Sequence, residues 1–218
     1  MAPSFEEWIT HCFDHEATQP EWYWDSSLPA WTASDVITVE YVTQTFAESG
    51  TILKRFTDAQ VAQGLSYIYS NSCSDIMPAL FGQEVPQAMR MSCVQSFLDL
   101  FTRCFAARCS NHLSHLSESG VNVLNGVCYM WWDVIPICGE PEKAERKDFD
   151  ALCLTVMQQT LELPSDACRE SALHGLGHWH DYYPKLVEQV IQGFIWNNRK
   201  IRDPLRNYAY AAQHGDVQ

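Results

Sequence analysis

Helix-capping signals constrain the fold of this chain more than any other feature, because they return at the head of one apolar segment after another. Ser4 and Glu7 form an S-x-x-E box ahead of Trp8, Ile9, Cys12 and Phe13. Thr57 and Gln60 repeat it ahead of Val61, Leu65, Ile68 and Tyr69. Residues 34–49 are rich in β-branched types, which favour strands by propensity. However, Val36, Val39, Val42 and Phe46 step by three and four, with Ser34 placed to cap and Gly50 placed to stop. That spacing predicts a helix. Pro86, at a first helical position, opens a long helix to about Cys109 that carries Met89, Cys93, Phe97, Phe101 and Phe105. Residues 121–132 form a short apolar element ending in WWD, and PEKAERKD leads into Phe149, Leu152, Val156 and Met157. Pro164-Ser165 starts a helix that Asp181-Tyr-Tyr-Pro184 breaks; a second runs from Pro184 to about Trp196, and Asp203-Pro204 opens a last one. Strand signals are few. The expected architecture is a single all-α domain over residues 1–218, nine or ten antiparallel helices joined by short loops. The exception is an aromatic-rich loop at 19–33 with no periodicity.

Charge and cysteine usage narrow the function classes. Lys and Arg number 14 against 27 Asp and Glu, a net charge of −13. Such a surface repels phosphate backbones, which argues against nucleic-acid binding and leaves a basic protein or a small ligand as partner. The nine cysteines are odd in number and include no Cys-x-x-Cys pair, and the stretch MAPSFEEWITHCFDHE has acids where a signal peptide needs basic then apolar residues. No uncharged apolar run reaches the length of a membrane span. A reduced cytoplasmic protein is expected, without membrane attachment. P-loop, G-x-G-x-x-G, G-x-S-x-G and kinase motifs are all absent.

The richest chemistry lies in ESALHGLGHWH, residues 170–180. At 100° per residue, Glu170, His174, His178 and Asp181 fall within about 80° on one side of the helix, away from Leu173, Leu176 and Trp179. Two histidines at i and i+4 have the spacing of zinc-binding helices. The glutamate that serves as base in the catalytic version, just after the first histidine, is Gly175 here. The stripe therefore reads as a solvated or groove-lining face, with metal or small-ligand binding as the alternative, and no metal or cofactor is expected. Gly175 and Gly177 each cost about 1 kcal/mol relative to Ala in a helix interior, so a close approach of some neighbour is expected beside them. The adjacent Trp131 and Trp132 suit either the core or a clamp on a flat ligand. Trp22 and Trp24, with Tyr23 and Trp31, make the 19–33 loop either a packed lid or a contact surface.

Residues 166–195, DACRESALHGLGHWHDYYPKLVEQVIQGFI, resemble one HEAT-type repeat. The first helix carries Arg169-Glu170 near its start and small residues, a turn ends at Pro184, and the second helix presents Leu186, Val187, Val190 and Ile191. A weaker echo aligns Arg90-Met-Ser-Cys-Val with Arg169-Glu-Ser-Ala-Leu. The resemblance implies a HEAT-like helix pair over 165–197 and a scaffold for protein contacts. The expected function is an intracellular interaction or adaptor protein, in one form an immunity-type inhibitor of a basic toxin. The rival is a ligand- or metal-binding protein or hydrolase using Glu170, His174, His178 and Asp181. A HEAT-like DNA glycosylase would need a basic groove, which the net charge disfavours.

Overall fold

A computed structural model describes residues 2–116 and 118–217, and among these residues it contains helices and no strand. The caps form as the sequence predicts. The Ser4 hydroxyl accepts from the Glu7 backbone N–H while the Glu7 carboxylate accepts from the Ser4 N–H at 2.6 Å; Thr57 and Gln60 do the same. Ser34 and Ser165 cap the helices Asp35–Ala47 and Asp166–Trp179. Nine helices of seven residues or more result among the described residues.

Two boundaries differ from expectation. Gly50 does not stop a helix; it lies within a further short helix, Ser49–Ile52, where an added Cβ would stand 3.1 Å from Arg103 Cβ. Pro86 is the N-cap, in extended conformation, and the helix begins at Gln87, running to Leu100 and on through a π-helical turn, Phe101–Phe105.

The helix Asp166–Trp179 is the hub of the packing. It lies against the helices Lys147–Leu161, Asp203–Ala212 and Val123–Tyr129, the turn Trp131–Val134 and, less extensively, the helix Pro184–Asn197 that follows it. Eleven of its fourteen residues are buried, Glu170 and His174 among them. This corrects the expected two-faced helix. Residue polarity assigns Glu170 and His174 to a wet side, but Ala167, Ser171, Ala172, Gly175 and Gly177 leave so little bulk that neighbours close in all round. The enclosed Glu170 and His174 are hydrogen-bonded by these neighbours.

The two glycines have the expected reason. A Cβ on Gly175 would stand 2.6 Å from both Cβ and Cγ of Trp132, and one on Gly177 would stand 2.5 Å from a methyl of Val217. No helix of the described residues is long and apolar enough to cross a membrane.

These contacts predict opposite outcomes for two alanine substitutions. Trp132 is only 2% exposed and has nowhere to go. Gly175→Ala should therefore cost about 1–3 kcal/mol, as overpacking does, despite its gain in helix propensity. Val217 lies past the last helix and can shift, so Gly177→Ala should stay within about 1 kcal/mol of the parent. Urea melts of the two variants check this; equal stabilities would contradict the Trp132 contact.

Candidate metal centre

Two adjacent tryptophans decide where Asp133 goes. Trp131 is fully buried, 5.5 Å from Phe46 and 5.4 Å from Phe97 between ring centroids, and stacks on Tyr69 at 5.2 Å. Trp132 packs on Phe97 and over Gly175. With both indoles in the core, the next residue of the turn emerges at the surface, its side chain 38% exposed. Asp133 Oδ1 there lies 3.3 Å from His178 Nε2, which lies 3.2 Å from His174 Nε2. The three ligand-type atoms all fall within 4.8 Å of one another.

The separations of 3.3 and 3.2 Å are compatible with ligands around an ion. With metal–ligand bonds of about 2.0–2.1 Å, two ligands on a tetrahedron stand about 3.3–3.4 Å apart. His174 is oriented from behind. Its Nδ1 lies 2.7 Å from the Tyr208 hydroxyl, which is 3.1 Å from that of Tyr129, and the Tyr129 ring packs at 4.3 Å. With Nδ1 engaged by the tyrosine, Nε2 is the nitrogen that faces His178 and Asp133. Burial, and next the neighbouring His178, lower His174 to about 4, so the ring is neutral near pH 7.

Glu170, one turn earlier, has a different task. Its carboxylate accepts from the backbone N–H groups of Ser114 at 2.9 Å and His115 at 3.0 Å, and from His115 Nδ1 at 2.6 Å. It thereby ties the 114–116 turn to the hub helix. The His115 ring in turn stacks on Tyr208 at 4.2 Å. Glu170 thus supports the cluster at three removes, through His115 and Tyr208 to His174. A cavity of about 430 Å³ lined by His115, Tyr208, Gly215, Asp216 and Val217 borders this network.

The structure divides the expected stripe. His174 and His178 are together, Glu170 serves the fold behind them, and Asp181 is exposed beyond the helix end and outside the cluster. Trp131 and Trp132 belong to the core and form no clamp. Trp22 is buried, whereas Trp24 is 55% exposed. Asp133, Tyr208, Tyr129 and His115 join the site from other elements; the one signal for Asp133 is an acid directly after two large rings. The thiols offer no rival chemistry at Cys93 and Cys104, which burial pushes up to about 12.

This division predicts the cost of removing each acidic or imidazole group. Glu170→Ala leaves three enclosed donors unpaired and should cost about 3–5 kcal/mol. His178→Ala, at a half-exposed ring, should cost no more than about 1 kcal/mol. Denaturant unfolding measures both; a mild Glu170→Ala would contradict its structural role.

No protein-family model matches the chain, and neither a curated protein nor a solved structure matches it.

Proposed function

We propose that this is a metal-binding protein in which Asp133, His174 and His178 hold one divalent ion of the zinc class. The observation that carries this reading is the ligand spacing: Asp133 Oδ1 and His174 Nε2 lie 3.3 and 3.2 Å from His178 Nε2, and all three atoms fall within 4.8 Å of one another. The Tyr208 contact to His174 adds the outer-shell partner that metal-bound imidazoles characteristically have. Three protein ligands leave a fourth tetrahedral position for water or substrate, the composition of catalytic rather than closed structural sites. The chemistry such an ion supplies is activation of a bound water and polarisation of a carbonyl or phosphoryl oxygen. Metal-assisted hydrolysis is accordingly the reaction class we assign. Because Asp133 and His178 sit at the surface, the ion would add stability without being required for folding.

A second reading, a protein-contact module, is favoured by a separate patch. Trp196 is 69% exposed, and with Ile195 and Tyr210 it lines a cavity of about 480 Å³. This is the role the HEAT-like resemblance of 166–195 implies. Nine free thiols suit the reducing cytoplasm as its compartment.

Calorimetric titration of chelator-stripped protein with zinc, and with cobalt as a coloured probe, tests the first reading. One ion should bind per chain, and zinc at a hundredfold above Kd should add about 2.7 kcal/mol of stability. Asp133→Asn and His178→Ala should each weaken binding at least tenfold while the stripped variants still melt cooperatively. Absence of binding, or equal binding by the variants, would overturn the proposal.

A further inference from the structure

A second site lies on other elements, between the 19–33 loop and the helices Asp35–Ala47 and Asp58–Tyr69. It is a cavity of about 490 Å³ whose walls include four aromatic residues, Trp22, Tyr23, Trp31 and Tyr67. Three carboxylates, Asp25, Asp35 and Asp75, also line it, and no lysine or arginine does. We propose that this cavity binds an organic cation of the alkylammonium class, either a free small amine or the side chain of a lysine or methylated lysine.

The rings are fixed in place. The Trp22 and Tyr67 centroids stand 4.7 Å apart, and Tyr23 lies 5.9 Å from Tyr67 and within 27° of parallel. The Tyr67 hydroxyl accepts from the Trp31 backbone N–H at 3.3 Å and lies 3.0 Å from His11 Nε2. The Trp31 indole N–H donates to Thr38 Oγ1 at 3.2 Å, and the Trp22 ring lies on that of His15 at 3.8 Å. Such a wall has its rings in place without first having to be ordered, which favours binding. The negative faces of aromatic rings attract ammonium groups, and quaternary ammoniums in particular are held in aromatic cages.

The charge balance points the same way. None of the three carboxylates is ion-paired to another described residue. Asp25 accepts from the Ser27 backbone N–H at 2.9 Å, and hydrogen bonds from Ser27 hold its carboxyl below the usual range. Asp35 sits in the first turn of its helix, where an N-terminus tolerates an anion. The imidazole behind the rings offers no compensation, because burial, and then His15, draw His11 down towards its neutral form. A cation in the cavity would meet three carboxylates and no basic side chain; a neutral or anionic ligand would gain nothing from them. The cavity is within the size range of small-ligand sites, large enough for a trimethylammonium group and its stem.

The test uses the full chain with choline as one probe, its neutral isostere 3,3-dimethyl-1-butanol as a second, and a short peptide carrying trimethyl-lysine as a third. Calorimetry should show saturable 1:1 binding of choline or of the peptide, with the neutral isostere at least tenfold weaker. The tighter of the two cationic probes identifies the source of the ammonium group. Asp25→Asn and Asp75→Asn, both at exposed side chains, should each weaken binding severalfold, and Trp31→Phe should weaken it further, with melting curves confirming the fold of each. Asp133→Asn should leave this binding unchanged, which separates the result from that of the metal centre. Equal binding of the neutral isostere, no effect of either Asp→Asn change, or no binding of both cationic probes would overturn the proposal.

Discussion

The close contact of the Trp132 indole with the hub helix at Gly175 is the constraint on which the rest of the structure depends. A side chain at 175 would stand 2.6 Å from the Trp132 Cβ, so only glycine lets the turn Trp131–Val134 dock at this depth. Docking sends Trp131 into the cluster of Phe46, Phe97, Phe101 and Phe105. It also leaves Asp133 beside His178, one turn along the helix from His174. A buried aromatic contact thereby sets the geometry of a half-exposed polar cluster. Glu170, one turn before His174 on the same helix, holds the 114–116 turn, and through His115 it reaches Tyr208 and His174.

How much of this the sequence shows depends on how local the cause is. The capping boxes at Ser4 and Thr57 depend on four consecutive residues, and both form as read. The periodicity of 34–49 prevails over β-branched propensity for the same reason: apolar residues at three and four steps bury together on a helix. The histidine pair is legible because i and i+4 share a helix face. The third member is not, since Asp133 reaches the cluster only through the tertiary docking of two tryptophans. Burial of Glu170 and His174 is hidden for a related reason. The wheel sorts residues by polarity, whereas small residues on every side of this helix admit neighbours to its polar face as well. Asp181 illustrates the complementary error, because the helix ends at Trp179 and the wheel does not extend past it.

A net charge of −13 means little until it is located. At the hub helix the acid groups are engaged, Glu170 by three donors and Asp133 by His178. Around the 19–33 loop, Asp25, Asp35 and Asp75 share a ring-lined cavity with no basic side chain in its wall. The sequence offers two readings of that loop, as a packed lid and as a contact surface. Trp22 and Trp31 pack inward on Tyr67 and His11, while Trp24 projects outward. The packed reading holds for Trp22 and Trp31.

The central claim is that the ion is held by two imidazoles and a carboxylate and not by the nine thiols. X-ray absorption at the zinc edge of the one-equivalent complex tests it most directly. The account predicts a first shell of nitrogen and oxygen at about 2.0–2.2 Å, with the outer-shell scattering of two imidazole rings and no sulfur. A sulfur shell at about 2.3 Å would place the ion on cysteine and contradict the assignment of Asp133, His174 and His178.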